Sequence, residues 1–238
     1  MAQINSISLS DRSRLVKFIS ELTDLKVNTY DYNLAERLGS FLGVSGSMNL
    51  ARGIRNLPSE EFGIKEGVCH TVIDDFFASR ERLVKQVIDS FSSSDTQNSV
   101  PSEANGVRRE ALYMFSPFQR FYTAQQVEMG VAVKNLRDSL RRNMSIVSVR
   151  MQRLAEMDLI LDENLEGHIR KQFNIVPKAL EQYFNAFVHP NDEEFDIDTF
   201  LPEFYRTMRD LLLAELDARM QPLLGLVEAL QEHEEQYE

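Results

Sequence analysis

Residues 116–173 read SPFQRFYTAQQVEMGVAVKNLRDSLRRNMSIVSVRMQRLAEMDLILDENLEGHIRKQF, a long run whose pattern is helical. Beyond Pro117 it holds no proline, and only Gly130 and Gly167 interrupt it. Val133, Leu136, Leu140, Met144, Val147, Met151, Leu154, Leu161 and Leu165 recur at the three- and four-residue steps of one helix face. Ser116 suits an N-cap, Pro117 the first helical position, and Gln119 the returning bond of a capping box. An unbroken helix would be about 85 Å long at 1.5 Å per residue. Ser145 offers a new start, and the β-branched Ile146, Val147 and Val149 disfavour continuation. The expectation is a break over 143–148 and an antiparallel pair of helices roughly 40 Å long.

The rest of the chain is also helical in pattern. Leu15, Phe18, Ile19, Leu22 and Leu25 give a helix over 12–26; Leu34, Leu38, Phe41 and Leu42 give another over 32–43. Ser47 offers a cap to a third over 48–56. Val68, Val72, Phe76, Leu83, Val87 and Phe91 keep helical spacing between Ile64 and Phe91. Towards the end, Pro177 opens or kinks a helix reaching about Val188. Asp198 or Thr199 then caps one striped by Leu201, Phe204, Met208, Leu212, Leu216 and Met220. Pro222 is expected to separate it from a last helix over 223–232, in which Leu223, Val227 and Leu230 pack inward. Nowhere does two-residue alternation last long enough to argue for a strand.

The stretch SSSDTQNSVPSEANG, 92–106, has only Val100 and Ala104 as apolar residues. That is too little apolar surface to offset the entropy of ordering it. The expected fold is therefore an all-α helical bundle with long amphipathic helices. An N-terminal module (10–91) and a C-terminal long-helix bundle (108–236) are joined by a flexible linker (92–107).

Composition narrows the classes further. The 238 residues are 43% hydrophobic, with 10 Gly, 7 Pro, one Cys and no Trp, which excludes collagen-like, disulfide-framework and wholly disordered chains. Lone Cys69 excludes an internal disulfide and fits a reducing compartment. The longest wholly apolar run is Leu211 to Ala214, far short of the roughly 20 residues of a membrane span, so no direct membrane insertion is expected. The first fifteen residues show no apolar core of a secretory signal, and a cytoplasmic location is the expectation.

Charge is unevenly placed. Residues 191–238 carry 14 acidic against three basic residues, the whole −11 of the chain. Residues 108–153 carry nine basic residues, eight of them Arg, against Glu110, Glu128 and Asp138. Arg108, Arg109 and Arg120 flank the aromatics Tyr113, Phe115, Phe118, Phe121 and Tyr122; Lys134, Arg137 and Arg141, with Arg142, stripe one helix face. These seven cations form the candidate interaction surface. Aromatics interleaved with Arg suit single-stranded nucleic acid, but at helical spacing they more often form core. The Arg stripe reads either as a solvated face, or one turned to the acidic C-terminal end, or as a docking face for a partner helix or acidic polymer. A pI near 4.9 weighs against dedicated nucleic-acid binding.

Chemistry-bearing patterns are not found. His70, His168, His189 and His233 fall in no HExxH or ExxH pattern. Cys69 and His70 are neighbours that cannot share a helix face, and the thiol reads as a core or surface group. Asp158, Asp162 and Glu166 lie at four-residue steps, a spacing more often a solvated face than a cation site. The glycines of 39–46 have neither the preceding strand nor the Lys of a phosphate loop. No catalytic group, metal or cofactor is expected.

Several blocks carry a resemblance: RLVKFISELTDL, AERLGSFLGVSGSMNLARGI, QRFYTAQQVEMGVAVKNLRDSLR, RLAEMDLILDENL and LLLAELDARMQPLLGLVEAL. In order and spacing, along nearly the whole chain apart from the polar stretch, the sequence resembles an uncharacterised proteobacterial family, the domain of unknown function numbered 3348. The resemblance implies a cytoplasmic accessory of an ion-driven envelope complex, with membrane proteins resembling the MotA/ExbB class. It brings no site residues. The expected function is a non-enzymatic helical adaptor with a protein partner. The alternative is a nucleic-acid-binding protein using 108–142. The long stripe also suits a homo-oligomer.

Overall fold

The computed structural model describes residues 14–23, 46–48, 51–53, 55, 68–92, 99–188 and 195–236. Among them the chain is all-α, with no strand. The helices are α1 (Arg14–Thr23), α2 (Val68–Ser92), a short α3 (Arg109–Leu112), α4 (Ser116–Met144), α5 (Val149–Phe173), α6 (Ile175–Phe187) and α7 (Ile197–Glu235). Residues 46–48, 51–53 and 55, within or beside the expected third helix, are helical; the expected helix over 32–43 lies outside the described residues.

The break in the long stripe falls at 145–148, between α4 and α5. The cap is Ser148 rather than Ser145. Ser148 Oγ accepts from the Met151 N–H at 3.3 Å, and its carbonyl receives the Gln152 N–H at 2.9 Å. Ser145 instead closes α4, its backbone N–H and its hydroxyl both donating to the Arg141 carbonyl. Likewise α7 starts earlier than expected. Asp196 is its cap, accepting from the Asp198 N–H at 3.1 Å and from the Thr199 hydroxyl at 2.5 Å, which lowers the Asp196 pKa.

Pro222 does not end a helix. α7 runs on through it for 39 residues, about 58 Å at 1.5 Å per residue. An interior proline costs roughly 3 kcal/mol. Against that, Leu216, Met220, Leu223, Val227 and Leu230 stay in phase and buried on both sides of it. Each such side chain contributes about 1.5–3 kcal/mol on full burial, so continuation wins.

The chain divides into two compact units, each drawn from three segments. The divisions cut through α2, α4 and α7, at 83/84, 129/130 and 218/219. Unit 1 comprises 1–30, 84–129 and 174–218. Its core is aromatic: Phe118, Phe184 and Phe204 are buried with ring centroids 5.2–5.4 Å apart. Phe115, Tyr122, Leu180, Ile197, Met208, Leu211 and Leu212 complete it, and α1 packs on α6.

Of the polar stretch expected to be a linker, 93–98 lie outside the described residues, while 99–107 are folded within unit 1. Val100, one of its two apolar residues, is buried, and its N–H donates to the Ser90 carbonyl at 2.9 Å. Asn105 Nδ2 donates back to the Val100 carbonyl at 2.7 Å, and Gly106 takes φ 78°, a left-handed turn natural to glycine. The Tyr205 hydroxyl donates to the Pro101 carbonyl at 2.5 Å, and burial pushes its pKa up to about 12. One apolar residue and hydrogen bonds from neighbouring helices hold a segment that composition alone would leave loose.

Unit 2 comprises 31–83, 130–173 and 219–238. Here Val72, Ile73 and Phe76 of α2 are buried, as are Val133, Leu140 and Met144 of α4. Met151 and Ala155 of α5 and Leu223, Val227 and Leu230 of α7 join them. Arg219 lies 4.0 Å over the Phe173 ring. Gly53 approaches the side chain of Ile160 too closely for any Cβ at that position.

Candidate interaction surface

The seven cations singled out in the sequence meet different fates. Arg137 and Arg141, one turn apart on α4, are turned inwards within unit 2. Their side chains are only 11% and 8% exposed. Arg137 donates Nε to Asp158 Oδ2 at 2.8 Å, Nη2 to Asp158 Oδ1 and Nη1 to Asp162 Oδ1. Arg141 donates Nε to Asp158 Oδ2 at 2.8 Å, Nη2 to Asp162 Oδ2 at 2.9 Å and Nη1 to Asp138 Oδ1 at 3.1 Å. Bonds of 137 and 141 to 158 and 162, across the turn at 145–148, make α4 and α5 an antiparallel pair. Burial favours loss of the Arg141 proton, but the hydrogen bonds and charges of Asp162 and Asp158 outweigh it and raise its pKa. The two forked guanidiniums suit this shared, multidentate geometry.

This network was spelled in the sequence as two stripes with four-residue steps, one of Arg and one of Asp. Each alone resembled a solvated face. Together, after a turn at 145–148, they are partners, and the aspartates are thereby committed to arginine.

Arg109 belongs to unit 1. It grips Asp198 with both terminal nitrogens, at 2.6 and 3.2 Å, and reaches Glu103 at 3.4 Å. The hydrogen bonds and charge of Asp198 raise its pKa. The remaining four, Arg108, Arg120, Lys134 and Arg142, are exposed. Arg108 sits at the N-cap position of α3 without a side-chain cap bond, and Arg120 Nε reaches the Ser116 carbonyl at 3.4 Å.

The aromatics between the arginines are core. Phe115, Phe118, Phe121 and Tyr122 are buried in unit 1, and Tyr113 meets Phe195 edge-on at 6.3 Å. They pack against other rings, Phe118 against Phe184 and edge-to-face with Phe204, and Phe121 edge-to-face with Phe91.

What the sequence reading missed is an exposed apolar face on α4. Within unit 1, Gln119, Arg120, Thr123, Ala124, Val127 and Glu128 line a shallow groove, with Val127 61% exposed. Within unit 2, the same helix leaves Val131 56% exposed, followed by exposed Lys134. The inward stripe drew attention away from the two valines one turn apart on the opposite side.

Two buried polar groupings were also missed. In unit 1, Glu215 is fully buried; Gln126 Nε2 donates to it at 2.8 Å and the Tyr122 hydroxyl at 3.3 Å. Its place four residues after Leu211 and seven after Met208 put it on the apolar face. In unit 2, His70 Nδ1 lies 2.9 Å from Glu234 Oε2, while adjacent Cys69 is buried. Burial, and then the charge of Glu234, raise the Cys69 pKa. His233 is buried nearby in sequence, its pKa lowered by burial and by Arg150. Among the described residues no group of three or more His, Cys, Asp or Glu is placed to hold a metal ion.

By class, the described residues make an all-α protein of packed, long helices with buried inter-helix ion pairs. No helix among the described residues is long and apolar enough to cross a membrane. The chain belongs to the family described as "Protein of unknown function (DUF3348)", whose model matches residues 1–232. No curated protein and no solved structure matches it.

Proposed function

We propose that the protein is a helical docking protein that binds another polypeptide through the exposed face of α4. The observation that carries this reading is Val127, 61% exposed in the groove that Thr123 and Ala124 help to line within unit 1. An apolar side chain held in water favours burial against a partner, at about 25 cal/mol per Å². Of the cations expected to form the surface, exposed Arg120 lines this groove, whereas Arg137 and Arg141 are engaged by internal aspartates. A cytoplasmic setting and a membrane-complex partner of the ion-driven kind are what the sequence resemblance adds to this reading.

The test compares tagged full-length protein with its Val127→Glu variant in nuclease-treated, detergent-solubilised extracts of the native host. A polypeptide retained in constant ratio by the parent and lost with Val127→Glu, at unchanged helical circular dichroism, is the expected outcome. Equal retention by both, or recovery of the protein alone, overturns the proposal.

A further inference from the structure

The groove on α4 within unit 1 is lined by Gln119, Arg120, Thr123, Ala124, Val127 and Glu128. These positions are symmetric about a point between 123 and 124: 119 answers 128, 120 answers 127, and 123 answers 124. At 3.6 residues per turn, Arg120 and Val127 share the middle of the face, about 10 Å apart along the axis, and Glu128 lies beside Val127. Thr123 and Ala124, at the centre, are small and exposed. Arg120 is exposed, with Nε reaching along its own helix to the Ser116 carbonyl at 3.4 Å. Glu128 is half-buried, and its Oε2 receives Gln86 Nε2 at 3.4 Å. A carboxylate has about four acceptor positions, so that bond leaves room for a cation.

This chemistry discriminates between occupants. A second copy laid antiparallel, with the two-fold axis passing between 123 and 124, sets Arg120 of each copy over Val127 of the other. The methylenes of Arg120 then cover the valine, and its guanidinium meets Glu128, the next residue along, at both ends. The small residues at the centre let the helix axes approach to about 8 Å. A parallel copy would instead set Arg120 against Arg120 and Glu128 against Glu128. A polyanion would meet Glu128 as a like charge in the same groove. The antiparallel copy gives each charge of the groove its opposite, with groups that the chain itself supplies. We propose that, in the protein free of other partners, this groove is covered by the same groove of a second copy, in a two-fold dimer closed by two Arg120–Glu128 pairs. A contact of six residues a side is far smaller than a standard interface, so the dimer is weak and concentration-dependent. The inference goes beyond the docking reading, since a docked polypeptide takes the place of the second copy.

Sedimentation velocity on the purified full-length protein, from about 1 µM to about 500 µM, reads the association. The parent is compared with Arg120→Glu, with Glu128→Arg and with an equimolar mixture of the two. Each single reversal makes like charges meet at both ends of the dimer, whereas one copy of each variant restores opposite charges at both. The expected result is a parent dimer in the upper part of the range and each variant alone at least about tenfold weaker. The mixture is expected to return to within about threefold of the parent, at unchanged helical circular dichroism. Loss of folding in a variant cannot produce that rescue. A monomer throughout, a dimer indifferent to both reversals, or a mixture no tighter than its components overturns the proposal. Docking is judged separately in host extracts: it stands if this dimer is absent, and the dimer stands if those extracts yield the protein alone.

Discussion

Arg141 shows how much depends on one forked side chain. It bonds three carboxylates on two helices while nearly excluded from water, so its removal leaves Asp158 and Asp162 to Arg137 alone. Breaking a buried ion pair by deleting one partner costs about 3 kcal/mol, more than the pair itself is worth. Arg141→Ala is expected to lower stability by that amount in urea unfolding. Arg141→Lys is expected to recover only part, because an ammonium cannot span the same fork. A loss below about 1 kcal/mol would show that water substitutes for the guanidinium. His233 sets a pH dependence of definite sign. Burial, and then Arg150, lower its pKa from 6.5, so the folded protein holds it neutral and the unfolded chain protonates first. Its stabilising contribution is full above the unfolded value and is lost as pH falls through that value towards the lower folded one. His233→Leu is therefore expected to flatten the fall in urea midpoint between about pH 7.5 and about pH 5.5. An unchanged slope would move the acid sensitivity to other groups.

At the scale of elements, the α4–α5 pair was the most legible part of the sequence. Its stripe, the absence of proline and the β-branched run at 146–149 placed the break where the structure has it. The exact cap was not legible, because Ser145 and Ser148 are both competent and only the geometry of the turn chooses. Ser148→Ala is expected to cost about 1 kcal/mol and Ser145→Ala clearly less, in parallel thermal melts. A reversed order would place the start of α5 at Ser145. Pro222 misled for a related reason. Local chemistry says stop, while burial at 216, 220, 223, 227 and 230 says continue, and that in-phase spacing was already visible. The Arg and Asp stripes were likewise readable one at a time. Their pairing depends on a turn that brings residues 17 to 25 positions apart together, which no single-helix pattern contains.

At the scale of the molecule, the polar stretch at 92–106 looked like the natural division of the chain. Each of the two units draws segments from both sides of it, including part of α2, α4 and α7. Composition measures how much apolar surface a segment owns. It does not measure how much a neighbour lends, and Val100, Pro101 and Asn105 are held by partners at Ser90 and Tyr205 or by one another. The outward valines of α4 were invisible for the opposite reason, since a periodicity search finds the richest stripe and passes over a short second one. Cys69 is placed to report the opening of unit 2. It is the sole cysteine, buried at the start of α2, with its proton held by burial and by Glu234 on α7. Alkylating reagents consume thiolates, so modification waits until that corner of unit 2 parts. The protein thus carries a built-in stopwatch. Iodoacetamide labelling is expected to be far slower than for a free thiol, to accelerate with urea, and to quicken in Glu234→Gln at fixed pH. Labelling at the free-thiol rate would mean that the corner spends most of its time ajar.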